Sequence, residues 1–154
     1  MSKHFQQLMQ HLWEHLGLVL PHEGENEAYI INVDGKTDIS IFASPKTHLN
    51  IIAKLGLITG ADKNSVLETL LRLNCFTPIH PTVNFKIGLN PTTKGIELWI
   101  RKPLHDLSSQ TLLDLFSLSV EMSEFVRNNI SQKNDSKRNR PTLPGLRSNN
   151  TAGR

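Results

Sequence analysis

The chain has 154 residues and a formal net charge of +3, a length that suits a single domain. Its single cysteine, Cys75, excludes an internal disulfide and a cysteine-based zinc site within one chain, and its apolar neighbours predict a buried side chain. The start is polar and no apolar run is long enough to span a bilayer. We therefore expect a cytoplasmic protein.

Positive charge is concentrated near the C-terminus. Six basic residues and one acid lie between Ser131 and Arg154, whereas acids outnumber basic residues in the rest of the chain. The same segment is rich in Ser, Asn, Pro and Gly, which predicts disorder. We expect a folded domain over 1–130 and a disordered basic tail over 131–154. A nucleic-acid-associated protein that binds through this tail is the alternative function that the composition leaves open.

Apolar periodicity predicts three helices and five strands. In chain order these are a helix at 3–17, strands at 28–33, 37–43 and 49–58, a helix at 65–73, strands at 83–89 and 96–101, and a helix ending near Ile130. A parallel sheet needs regular alternation of strands and helices, which this order lacks. The predicted fold is therefore α+β, with a twisted antiparallel sheet packed by helices.

Short local signals support these boundaries. Asp34-Gly35 is a preferred dipeptide for a type I′ hairpin turn, because both central residues need positive φ. Gly56 predicts a bulge in the third strand. Ser65 and Glu68 have the spacing of a capping box, in which each side chain satisfies an amide at the start of a helix.

Two sets of apolar residues exceed what one core needs. The first lies on strand faces opposite the regular apolar pattern, at Ile30, Phe42, Ile52 and Trp99. Either helices cover both faces of the sheet, or these residues form an exposed surface of the kind that binds proteins. The second set is the leucines of the middle helix, which cover two adjacent faces and so predict a subunit interface.

Residues with catalytic or metal-binding potential form no recognisable constellation. His4, His11 and His15 fall on nearly one side of the first helix, and the last two have the i, i+4 spacing of a two-histidine metal site. A metal would still need an acidic or thiolate partner, so a solvated polar flank is the favoured interpretation. We therefore predict no enzymatic activity, no metal and no cofactor.

Two segments resemble parts of the type III secretion chaperones, the small specific chaperones of bacterial effectors. Residues 65–74, Ser-Val-Leu-Glu-Thr-Leu-Leu-Arg-Leu-Asn, resemble that family's Leu-rich middle helix ending in Asn. Residues 96–104, Ile-Glu-Leu-Trp-Ile-Arg-Lys-Pro-Leu, precede a long apolar helix and resemble its last strand, Pro-Leu junction and final helix. The order of elements over 3–130 is also similar.

The resemblance implies a homodimer that binds the unfolded N-terminal stretch of a secreted effector and keeps it soluble and competent for secretion. It also implies delivery to the export apparatus, whose ATPase is a further implied partner; neither nucleic acid nor a membrane is expected. The implied effector contacts are Phe5, Leu8, Leu12, Ile30, Phe42, Ile52 and Trp99. The implied dimer interface comprises Leu67, Leu70, Leu71, Val83 and Phe85. Such chaperones are typically acidic, and the basic tail departs from that pattern.

Overall fold

The computed structural model describes residues 3–21, 28–44, 47–57, 63–76, 83 and 85–138. Its elements are α1 (Lys3–His15), β1 (Ala28–Val33), β2 (Thr37–Ala43), β3 (His48–Leu57), α2 (Lys63–Phe76), β4 (Phe85–Leu89), β5 (Gly95–Pro103), a short 3₁₀ helix (Leu104–Asp106) and α3 (Ser109–Arg138). The order of helices and strands is the predicted one, and the α+β prediction is confirmed.

The end of α3 differs from the prediction. The helix continues to Arg138, past the expected end near Ile130, and includes the first part of the predicted tail. The segment between these two residues contains no Pro or Gly, and extending an existing helix needs no new nucleus. Polar composition alone therefore did not mark the boundary. The remainder of the predicted tail, 139–154, lies outside the described residues.

The five strands form one antiparallel sheet in the order β1-β2-β3-β5-β4. Asp34 and Gly35 both have positive φ, and the Lys36 N–H donates to the Val33 carbonyl oxygen at 3.0 Å. This confirms the type I′ turn between β1 and β2. The predicted bulge is also confirmed, because the register of β3 against β5 shifts between Lys54 and Gly56.

One face of the sheet, here called the inner face, packs against all three helices. Alternate residues of β2, β3 and β5 are buried there, including Ile41, Ile51 and Leu98. They form one apolar cluster with the buried faces of α1, α2 and α3. Burial of this apolar surface is the main favourable contribution to folding. The opposite side of the sheet, the outer face, is therefore the one left for other contacts.

Candidate functional site

One row of side chains crosses the outer face from edge to edge. In the register of the sheet each member lies directly opposite the next, and the row consists of Ile30, Ser40, Ile52, Trp99 and Lys86. Directly opposed residues have Cβ atoms about 5 Å apart, so the row is continuous. We call it the cross-strand row.

The apolar members of the cross-strand row are open to solvent. Ile30 is 59% exposed and Trp99 is 42% exposed, while Ile52 is half-buried. Phe42, in the adjacent row, is also half-buried. Of the two alternatives that the sequence left open, the structure therefore favours an exposed apolar surface over a sheet covered on both faces.

The Trp99 indole is held by a hydrogen-bond network that begins in the β4–β5 turn. The Trp99 Nε1–H donates to Glu97 Oε2 at 3.1 Å, and the Asn90 side-chain amide donates to Glu97 Oε1 at 2.9 Å. The Asn90 side-chain oxygen accepts the backbone N–H groups of Thr92 and Thr93. Glu97 is only 6% exposed. The turn thus fixes a buried carboxylate, and the carboxylate orients the indole.

Sequence reasoning missed the roles of Glu97 and Asn90. Strand alternation placed Glu97 among ordinary polar residues of the outer face. A signal was present, because residues two apart on a strand share a face, which puts Glu97 within reach of Trp99. Asn90 at the start of a turn is also typical of a side chain that bonds to the backbone two residues later.

A cavity of about 560 Å³ opens beside Trp99 at the β4 edge. Its lining includes Lys86, Gly88 and the β4–β5 turn, together with Glu97. Gly88 lies opposite Glu97 in the sheet register, and a Cβ placed on Gly88 would meet nothing within 4 Å. The missing side chain leaves room for a side chain of a partner next to the indole.

Three residues implied as effector contacts lie in the core. Phe5, Leu8 and Leu12 are all buried, and Phe5 lies against Tyr29 with ring centroids 5.9 Å apart. The apolar stripe of α1 closes the inner face of the sheet, so it is not part of the exposed surface. This corrects their assignment as surface contacts; the exposed candidates are those on the outer face.

The two apolar faces of α2 have different environments. Leu70 is buried at 4% exposure and belongs to the core, which corrects its assignment to the dimer interface. Leu71 is 65% exposed, Leu67 is half-buried and Cys75 is exposed. Leu67, Leu71 and Cys75 are spaced at i, i+4 and i+8, so they share one helix face, here called the α2 stripe. The predicted burial of Cys75 is therefore wrong for the single chain.

The remaining two interface candidates, Val83 and Phe85, are half-buried and pack partly against the core. Beside them, Asn74 pairs with the edge strand β4. Its side-chain amide donates to the Ile87 carbonyl oxygen at 2.7 Å, and the Ile87 N–H donates to Asn74 Oδ1 at 3.0 Å. An unpaired strand edge is open to pairing with another chain. Asn74 satisfies this edge at Ile87, which accounts for an asparagine near the end of α2.

Two of the first-helix histidines contribute to packing. His4 Nε2 lies 3.2 Å from the carbonyl oxygens of Leu104 and Leu107, and His11 Nδ1 lies 2.7 Å from Ser109 Oγ. These contacts dock α1 on the segment where α3 begins. Within the described part of the chain, no group of three or more His, Cys, Asp or Glu residues is arranged to hold a metal ion. Within that same part, no helix has the length and apolar character needed to cross a membrane.

Comparison with solved structures finds the same fold. A chain in the crystal structure of the Yersinia pestis type III secretion chaperone SycH with a stable fragment of YscM2 has a TM-score of 0.60 at 20% identity; the match covers 79% of this chain and 98% of that one. A chain of the ExoT–SpcS complex from Pseudomonas aeruginosa has a TM-score of 0.60 at 21% identity, and the match covers 80% of this chain and 97% of that one. A chain of the HopA1–SchA chaperone–effector complex has a TM-score of 0.64 at 13% identity, and the match covers 81% of this chain and 94% of that one.

The sequence comparisons decide the family. No curated protein gives a significant match. The Tir chaperone protein (CesT) family model matches residues 7–127, from within α1 to Arg127 in α3. That range takes in every strand and both segments that carry the resemblance described above, 65–74 and 96–104. The chain belongs to the Tir chaperone protein (CesT) family, and its identification as a type III secretion chaperone is confirmed.

Proposed function

We propose that this chaperone binds the N-terminal segment of a secreted effector on its outer face and keeps that segment soluble and competent for secretion. The observation that carries the proposal is the exposure of Ile30 and Trp99 in a row that none of the described helices covers. Exposed apolar surface on a small domain is typical of a protein-binding site. The HopA1–SchA structure is a chaperone–effector complex with a similar fold, which supports the same role here.

The outer face suits an extended partner better than a folded one. The apolar members of the cross-strand row, Ile30, Ile52 and Trp99, are distributed from β1 to β5, which matches an extended chain that lies over the sheet. A segment held in this way makes its apolar contacts with the chaperone instead of with itself. It therefore remains unfolded, and the chaperone needs no catalytic chemistry of its own. We place this activity in the bacterial cytoplasm, before export.

We also propose that the protein is a homodimer joined through the α2 stripe. Leu71 is 65% exposed, and Cys75 on the same helix face is also exposed. A two-fold dimer places the same patch of both chains in contact, so one apolar stripe would cover its copy. Val83 and Phe85 lie near this helix and would complete the interface.

The decisive experiment is purification of the protein from its native cells, followed by identification of what co-elutes in constant proportion. The expected result is one secreted protein whose first residues become resistant to proteolysis in the complex. Deleting those residues should abolish co-elution, whereas deleting an equal length from the other end should not. A protein that co-elutes with no polypeptide, or only with nucleic acid, would contradict the proposal.

A further inference from the structure

We propose that the Trp99 end of the outer face selects a partner segment that carries an apolar side chain and, two residues away, an acidic one. This inference rests on the proposed function and specifies the chemistry of the segment. The site consists of Trp99 and Ile52, the cavity beside Trp99, and the cationic groups of Lys86 and Arg101.

Trp99 has two exposed cationic residues as neighbours on the outer face. Lys86 is its direct partner across β4 and β5, and Arg101 follows it by two residues on the same face of β5. Both side chains are exposed. Neighbours on one face of a strand are about 6.7 Å apart and opposed residues about 5 Å apart, so both charges lie close to the indole.

The acids of the outer face do not offset these charges for a partner. Glu97 is buried, and both of its carboxylate oxygens accept hydrogen bonds, from Trp99 and from Asn90. Asp38 accepts from the Asn32 amide and lies opposite Lys54 in the register. Lys54, which is exposed, lies opposite Glu97 as well. The exposed charges next to Trp99 are therefore those of Lys86 and Arg101, and both are positive.

We expect the cavity beside Trp99 and the cationic side chains around it to accept different side chains of the partner segment. The cavity wall is largely apolar, with Leu89, Pro91 and the Trp99 indole in its lining, and its two charged residues, Lys86 and Glu97, are of opposite sign. An apolar side chain is therefore the better occupant beside the indole. An extended segment places its next same-side residue about 6.7 Å further on, which is the spacing from Trp99 to Arg101. An acidic side chain at that position would meet Arg101.

Two other occupants fit this surface less well. In a two-fold dimer a patch faces its own copy, so Lys86 and Arg101 would face like charges, and a second copy is disfavoured here. A single-stranded nucleic acid stacks successive bases on aromatic side chains. The other apolar members of the cross-strand row, Ile52 and Ile30, are aliphatic and offer no second ring for stacking. An acidic and apolar polypeptide is therefore the favoured partner.

The test is a selection from a displayed library of random short peptides with the full-length protein and a charge-reversed variant, K86E/R101E. The matched control is K3E/K63E, which changes the net charge equally at two exposed lysines on α1 and α2. Wild type and control should enrich Asp or Glu two residues from an apolar residue. A selected peptide should bind K86E/R101E roughly tenfold more weakly in calorimetry, and salt should weaken its binding to wild type.

The outcomes separate this inference from the proposed function. If wild type selects apolar peptides with no acidic preference and K86E/R101E binds them equally well, the inference is wrong and the proposed function stands. If wild type selects no peptide and no effector co-elutes from native cells, the proposed function is wrong. Tighter binding of a single-stranded oligonucleotide, or loss of the dimer in K86E/R101E, would also overturn the inference. Circular dichroism checks the fold, and K86Q/R101Q tests loss of charge if the reversed variant does not fold.

Discussion

Leu70 and Leu71 are adjacent in the sequence but lie on different faces of α2, with Leu70 at 4% and Leu71 at 65% exposure. One residue of helical rotation, about 100°, separates a core position from a surface position. The two leucines therefore report on different properties of the protein. Leu70 contributes to the stability of one chain, and Leu71 contributes to association between chains if the α2 stripe is the dimer interface.

Substituting each leucine should separate these properties. Leu71→Asp should give a folded monomer, because a charge on the α2 stripe cannot be covered by a second copy. Leu70→Ala should remain dimeric but lose about 2–5 kcal/mol of unfolding free energy, the usual cost of removing a buried leucine side chain. Light scattering measures the mass and urea denaturation measures the stability. A dimeric Leu71→Asp protein would contradict the interface proposal.

Trp99→Ala should weaken effector binding without unfolding the domain. The side chain is 42% exposed on the outer face, so its loss removes partner contacts more than core contacts. We expect an affinity loss of at least roughly tenfold, the scale of an aromatic binding residue replaced by alanine, and little change in thermal midpoint. Phe125→Ala, at an aromatic residue of α3 that is also 42% exposed, is the matched control. Unchanged affinity in calorimetry would remove Trp99 from the site.

Glu97→Ala should weaken effector binding less than Trp99→Ala does. The loss should arise because the indole of Trp99 is no longer held in one orientation. Without the carboxylate, the Trp99 Nε1–H loses its partner and the ring gains freedom. In a Trp13→Phe background Trp99 is the remaining tryptophan, so its fluorescence anisotropy should fall when Glu97 is removed. Glu97→Gln keeps an acceptor oxygen and should retain most of the anisotropy. Equal anisotropy in all three proteins would contradict a positioning role for Glu97.

The sequence predicted what short-range patterns determine. Alternation along the strands identified both sheet faces, and Asp34-Gly35 identified the first hairpin. The surface accessibility of Ile30 and Trp99 depended on where the helices pack, which is a long-range property that one sequence does not state. The same limit explains why Phe5 and Leu70 were assigned to binding surfaces although both lie in the core. An apolar helix stripe predicts burial of a face but does not say whether the sheet or a partner covers it.

Asn74→Ala should destabilise the domain by about 1–3 kcal/mol, because it removes two hydrogen bonds to the backbone of Ile87. The β4 edge would then present an unpaired N–H and carbonyl, which favours pairing between chains. Arg72→Ala, at an exposed position of the same helix, should be close to neutral. Urea denaturation measures the stability, and light scattering over time measures aggregation. An Asn74→Ala protein as stable as Arg72→Ala would show that the pairing contributes little.

Arg127→Ala should loosen the contact between α3 and the β1–β2 hairpin. The guanidinium donates to the Lys36 carbonyl oxygen at 2.9 Å, to the Thr37 hydroxyl and to the Leu55 carbonyl oxygen at 3.4 Å. Hydrogen bonds from a charged donor contribute about 1.5–3 kcal/mol, so a loss on that scale is expected. Amide hydrogen exchange should become faster in the turn at Asp34 and at the end of β3, and remain unchanged in β5.

Two further variants keep the Arg127 prediction specific. Arg127→Lys retains the charge but has one donor group instead of a planar fork, so it should recover only part of the lost stability. Asn128→Ala alters the neighbouring exposed residue of α3 and should leave both stability and exchange unchanged. If Arg127→Ala and Asn128→Ala gave the same exchange pattern, the hairpin would be held by the core alone, and α3 would not be needed to fix the β1 edge of the outer face.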